Sequence, residues 1–331
     1  MRLDRNNLFD FVRLYAALQV FIHHGAIHLK FAILQFLDNI LIFHGVPIFF
    51  ALSGFLVTIS WINRSNENWK SYASSRFIRI FPALWVSVFI SWLITLFLGK
   101  AKFSLSINGL SWLFTQASIF QYYNPDQLRD FGVGVINGSL WTIPVELQFY
   151  VLLPLLLTFF ASIKKRKKIF FLIFFISIVS ISFGIKEFLN EAIQARDGTS
   201  PSSGPLFLKF VKASVIPYLG QFAFGSSFVL LIRKFGQKKT SKLLIFLGIS
   251  LFFLINNIDL SIYNYAILDN LSTAAIFVGI GLIKINFKLP MDISYGIYLY
   301  HMPLANMLIV VFNDLRNPQI LTLYFLLTII F

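Results

Sequence analysis

Cysteine is absent from this chain, which excludes disulfides and thiolate metal sites. Charge is scarce: 13% of residues are Asp, Glu, Lys or Arg, against about a quarter in soluble domains. Acids are scarcer still, 14 against 28 Lys and Arg. No polar stretch is long enough to form a soluble domain, and no internal repeat is visible. What remains is 57% hydrophobic, with 40 Phe in 331 residues. The sequence therefore reads as an integral membrane protein. A net charge of +14 invites a nucleic-acid reading, but there is no soluble basic surface to carry it, so no nucleic acid is expected as a partner.

A membrane-spanning helix needs about 20 mainly apolar residues. Candidates lie near 8–29, 40–62, 79–99, 139–161, 168–185, 213–232, 243–257, 264–282, 292–312 and 319–331. All are read as helices, because lipid cannot satisfy exposed backbone groups. The expected fold is an all-α polytopic membrane protein of about ten spans, forming a single domain over 1–331. The first run is long, holds ionisable groups and lacks a small-x-small cleavage site, so it is read as a retained span. About two thirds of the 28 Lys and Arg fall in the segments that a cytoplasmic N-terminus places inside. The run from Lys164 to Lys168 is then a topology signal. The stretch 195–205, rich in Gly and Pro, reads as an irregular outer loop. The apolar run that ends at Phe331 would rise only about 20 Å as a helix, so the last helix is expected to be incomplete.

The first span carries groups a passive anchor has no use for: Asp10, Arg13, His23, His24 and His28. At about 100° per residue, Asp10, Arg13, His24 and His28 fall on one stripe about 60° wide. His23 points about 100° away and is expected to pack against, or bond to, a neighbouring helix. Arg13 and His24 are then about 16 Å apart along one face. Ionisable groups inside a membrane face a protein interior or a wet cavity and mark functional paths. Imidazole suits a general base, and His24 is the candidate for it.

Further constellations follow in order. Pro47 is expected to kink the second span, and Ser53-Gly54 to let another backbone or a thin ligand come close. Arg76 and Arg79, three apart, share a helix face at the inner mouth of the third span. Paired guanidiniums there suit phosphate, and they also suit a topology signal. Glu146, in a fourth span with Trp141, Thr142, Phe149 and Tyr150, is expected to pair with a buried cation or imidazole. Ser294, Tyr298 and His301 share about 60° of the ninth span.

These residues resemble the membrane acyltransferase 3 family. Phe9-Asp-x-x-Arg13 followed after ten residues by His24 resembles its arginine–histidine signature. Phe49-Phe-x-x-Ser-Gly-Phe-Leu56, Arg76-x-x-Arg-Ile-x-Pro82, Trp141-Thr-x-x-x-Glu146 with Phe149-Tyr150, and Ser294-Tyr-x-x-Tyr-x-x-His301-x-Pro303 resemble its later blocks, in order. The acid-x-Pro block usual at the end of the family's last helix is not present. The resemblance implies a bacterial inner-membrane enzyme. It would move an acyl group, commonly acetyl, from cytoplasmic acetyl-CoA to a glycan or lipid-linked sugar such as O-antigen or exopolysaccharide. The implied catalytic set is His24, Arg13, Asp10 and Glu146. The donor would meet Arg76, Arg79, Ser53 and Gly54, and the acceptor Tyr298, His301 and Trp141. No metal is expected. Direct attack of the acceptor and an acyl-histidine relay both remain open. So do a flippase or transporter and a lipid-linked glycan polymerase, although no inverted halves are visible.

The charge asymmetry sets a first test. A cysteine introduced at Ser202 should react with an impermeant thiol reagent from the outer side of intact cells. Labelling only after the inner face is opened contradicts the orientation.

Overall fold

The computed structural model describes Leu3 and residues 6–63, 69–162, 168–194, 206–285, 292–312 and 317–330. The helices are α1 Phe9–His28, α2 Ala32–Ile40, α3 Gly45–Asn63, α4 Trp69–Phe97, α5 Ala101–Ser104, α6 Ile107–Gln116, α7 Thr142–Ser162, α8 Lys168–Gln194, α9 Leu206–Ala213, α10 Leu219–Ile255, α11 Ile262–Gly281, α12 Ser294–Val311 and α13 Pro318–Ile330. The fold is all-helical. Among the described residues, Gly45–Asn63, Trp69–Phe97, Gly138–Phe159 and Leu172–Ala192 are long and apolar enough to cross a bilayer. The Arg and His residues of α1, and the Tyr, His and Asn residues of α12, lower the hydropathy of those two helices. The expected loop 195–205 and residues 164–167 of the basic run lie outside the described residues.

Several elements differ from the sequence expectation. Pro47 does not kink α3. The helix starts at Gly45, so Pro47 sits in its first turn, where a missing N–H costs nothing. The N–H of Gly45 donates to Gln19 Oε1 at 2.7 Å. α4 begins ten residues before the expected span, which puts Arg76 and Arg79 inside the helix rather than ahead of it. The spans expected at 213–232 and 243–257 form one element, α10, broken at Gly236, whose φ of 74° is left-handed.

The chain divides into two compact units. The first comprises Met1–Val12, Val46–Ser65 and Pro144–Lys288. Its helices meet at small residues. A Cβ on Gly54 would collide with the Phe222 carbonyl, and one on Gly225 with that of Ala51, so α3 and α10 touch backbone to backbone. Such contact is what holds helices together where lipid offers no hydrophobic drive. Hydroxyls reinforce it: Thr58 Oγ1 and Ser226 Oγ both donate to the Gly54 carbonyl, at 2.7 and 3.0 Å. Beside them Phe222 stacks on Phe149 and Phe50, with ring centroids 4.0 and 4.6 Å apart.

The second unit comprises Arg13–Gly45, Asn66–Ile143 and Leu289–Phe331. Its centre is α12. Pro303 lacks an N–H, so the Leu299 carbonyl one turn earlier loses its helical donor. Ser87 Oγ of α4 and Asn137 Nδ2 replace it, at 3.1 and 2.8 Å. The proline thereby turns a backbone defect into two docking bonds. One turn on, Asn306 accepts from the Val133 N–H and donates to the carbonyls of Val135 and Ile136. Gly132 is required there, because its φ is 56° and a Cβ would strike Asn306. The segment between α4 and α7 rests on a core of Ile94, Phe103, Trp112, Leu128, Phe131 and Ile136. At its surface Lys100 donates to Asp130 at 2.6 Å, and that bond holds the Asp130 carboxyl below the usual range.

The glycine contacts generate a stability test. Gly54→Leu forces a side chain into the Phe222 backbone, and overpacking of this kind costs about 1–3 kcal/mol. The purified variant should melt several degrees below wild type. An unchanged melting temperature contradicts the backbone contact.

Candidate active site

The chemistry-bearing groups of the second unit gather on α1, α4 and α12. His24 Nδ1 lies 2.8 Å from His301 Nε2. The ring planes differ by 10° and the centroids are 5.1 Å apart, so the bond runs nearly in the plane of both imidazoles. His301 is 0% exposed, and its Nδ1 lies 3.0 Å from the Ile297 carbonyl. Both its nitrogens are therefore engaged. His28 follows His24 by one turn, with ring centroids 6.0 Å apart.

His23, as its angle on α1 predicts, turns to another partner: its Nδ1 lies 3.0 Å from Asp38 Oδ2 of α2. Sequence reasoning passed over Asp38, which lies between the first two expected spans. Arg13 Nη1 pairs with Asp292 Oδ2 at 3.4 Å. Asp292 is 279 residues away and was not among the candidates the sequence offered. A signal for it was present, since an Asp just ahead of a helix is a capping residue. Asp292 also accepts from the Ser294 N–H, at 3.1 Å, and from the Ser294 hydroxyl.

Tyr298 is buried, and its hydroxyl donates to the Ser139 carbonyl at 2.7 Å and lies 2.6 Å from Thr142 Oγ1. It thereby ties α12 to the 3-10 turn Gly138–Trp141, which carries Trp141. The expected acceptor contacts Tyr298 and His301 are thus both buried within the unit and bonded to its own groups. Tyr295 OH donates to the Ile80 carbonyl at 3.1 Å. The start of α12 thus touches both Arg13, through Asp292, and the α4 segment that carries Arg76 and Arg79. Arg76 lies over the Tyr72 ring at 5.4 Å, and Arg79 is exposed. Nine residues separate Asp292 from His301, about 14 Å along a helix. One end of this unit is cationic, and an imidazole pair lies two to three turns away.

In the first unit, Glu146 accepts a 2.6 Å bond from Ser53 Oγ and another from Tyr150 OH. Its partners there are hydroxyls, not the cation or imidazole expected. The Tyr150 contact was legible as an i, i+4 pair on α7. Gly54 faces the Phe222 backbone, the close helix approach that was one of the two expectations for it. Asp10 lies in the first turn of α1.

Comparison with known proteins adds the family. A model described as an acyltransferase domain matches residues 6–331. Nodulation protein 10 of Rhizobium leguminosarum bv. viciae is 31% identical over 93% of this chain and 84% of its own length. The O-acetyl transferase of Shigella phage Sf6 is 28% identical over 93% of this chain and 87% of its own. The peptidoglycan O-acetyltransferase OatA of Listeria monocytogenes is 28% identical over 48% of this chain, which spans only 26% of that longer protein. No solved structure matches. The match across nearly the whole chain, on a helical scaffold that aligns two imidazoles, shows that this protein belongs to the membrane acyltransferase 3 family.

Proposed function

We propose that this protein is a membrane O-acetyltransferase that takes an acyl group, acetyl by default, from cytoplasmic acetyl-CoA to a hydroxyl of a cell-surface glycan or lipid-linked sugar. The reading includes a bacterial inner-membrane location, about ten spans and a cytoplasmic N-terminus. The observation that carries it is the His24–His301 bond. It holds the half-buried His24 imidazole in place while, among the described residues, nothing hydrogen-bonds its other ring nitrogen. Two of the relatives are named as O-acetyltransferases, which supports the reaction class.

In this reading His24 takes the proton of the acceptor hydroxyl as its oxygen attacks the thioester carbonyl. The new O–C bond forms, the C–S bond breaks, and His24 returns the proton to the departing sulfur. If His24 carries the acyl group instead, the same nitrogen is acylated first and released by the hydroxyl in a second step. Arg76 and Arg79 supply donors for phosphate at the cationic end. Acyl-CoA suits this layout, because a long thin arm separates its phosphates from its thioester. Arg13, held by Asp292, polarises the donor. Asp10, Glu146, Ser53 and Trp141 are the remaining proposed contacts.

His24→Ala should abolish measurable acylation while the protein inserts and binds acyl-CoA, since losing a general base costs about 10²–10⁴ in rate. His23→Ala should keep much of the activity. Near wild-type turnover by purified His24→Ala, or a dead His23→Ala, overturns the site. The donor end has its own test. Replacing both Arg76 and Arg79 by Gln should weaken acyl-CoA binding and flatten its salt dependence, as loss of phosphate contacts requires. Unchanged affinity in the folded double variant returns these arginines to a purely topological role.

A further inference from the structure

The hydrogen-bond directions around His301 decide which nitrogen of His24 is basic. The Ile297 carbonyl can only accept, so His301 Nδ1, 3.0 Å away, carries a proton. In a neutral imidazole the other nitrogen is then an acceptor. His301 Nε2 therefore accepts, and the proton in the 2.8 Å bond belongs to His24 Nδ1. With Nδ1 protonated, neutral His24 keeps its lone pair on Nε2.

We infer that His301 is a positioning residue that fixes the tautomer of His24 and makes Nε2 the reactive nitrogen. The inference rests on the acyl-transfer reading of His24 and adds to it a specific atom and a second residue. An unassisted histidine side chain prefers its proton on Nε2, which would leave the lone pair on Nδ1, the nitrogen turned toward α12. His301 reverses that preference. Its own orientation is over-determined: it is 0% exposed, and the α12 backbone two residues earlier is pinned through the Leu299 carbonyl by Ser87 and Asn137.

The arrangement does what a carboxylate does for the histidine of a serine protease, holding ring and tautomer together. Here the terminal acceptor is a peptide carbonyl. A carboxylate in that place would put a charge into an apolar interior, where ionised groups are costly. The relay carbonyl–imidazole–imidazole is neutral throughout. The other titratable groups near His24 are His28 and His23, with ring centroids 6.0 and 5.9 Å away, and His23 is already engaged by Asp38.

The test has a readout independent of activity. Nitrogen-15 NMR of histidine-labelled protein, with His24 assigned by substitution, should show a protonated Nδ1 and an unprotonated Nε2. His301→Ala should shift His24 toward the opposite tautomer. It should also lower kcat about 10–100-fold, as loss of a residue that orients a ligating or catalytic histidine does, with little change in KM for the donor. His301→Gln, whose amide oxygen can accept in the place of Nε2, should recover much of kcat. Nδ1-methylhistidine at position 24 cannot protonate the methylated nitrogen further, so its lone pair is locked on Nε2. In the His301→Ala background the methyl group fills the vacated space, and activity should return. A protonated Nε2 on His24 in the wild-type protein overturns the inference, whatever the variants do. So does His301→Ala at wild-type kcat, or no recovery by the methylated residue in a folded protein. An active His24→Ala would instead overturn the acyl-transfer reading and leave the tautomer assignment standing.

Discussion

An imidazole enclosed by apolar helices must replace the water it has lost with another hydrogen bond, and the His24–His301 contact is that replacement. Leaving a buried polar group unpaired costs about 1–3 kcal/mol. Pairing it with an ion would add the cost of a charge. Pairing it with a second neutral imidazole, itself anchored on a peptide carbonyl, avoids both costs. The same chain of bonds leaves one lone pair of His24 unassigned within the protein. A requirement of folding in an apolar medium thus leaves a lone pair at a defined atom.

The rule recurs through both units. Pro303 removes one helical donor, and Ser87 and Asn137 restore it from neighbouring segments. Those bonds fix the helix that carries His301. Asn306 does the same for the turn that contains Gly132. In the first unit Glu146 is held by two hydroxyls, and glycines bring α3 and α10 into backbone contact beside the stacked Phe rings. Large side chains gain little from meeting each other when lipid is the alternative, whereas close backbone approach gains dispersion and polar contacts. Polar bonds and small residues therefore do the positioning that a hydrophobic core does in water.

Much of this was legible before the structure. The apolar runs marked the helices, and the angle between His23 and His24 on a 3.6-residue helix separated their partners. The family resemblance rested on short blocks that the structure places on α1, α3, α4, α7 and α12. What sequence could not supply was pairing between distant segments. Asp10 could be named beside Arg13 because it is three residues away on one helix, whereas Asp292, which pairs with Arg13, is 279 residues away. His301 was grouped with the acceptor contacts because nothing in a periodicity tells a buried face from an open one; the structure shows it buried and bonded to His24. Pro47 was misread because the start of α3 was placed five residues too early, and a proline that would kink a helix interior is harmless in a first turn. Segments such as 32–40 and 101–116 hid short helices because their apolar runs are too short and too often interrupted to read as spans.

The central claim is that a protein lined in this way catalyses transfer rather than moving its acceptor. Purified protein in proteoliposomes, given acetyl-CoA with a labelled acetyl group on the side bearing Arg76 and Arg79 and a hydroxylated glycan on the other, measures this directly. The account predicts a labelled ester on the glycan, formed in step with release of free CoA thiol. Glycan that crosses the bilayer unmodified, with the thioester intact, would contradict it.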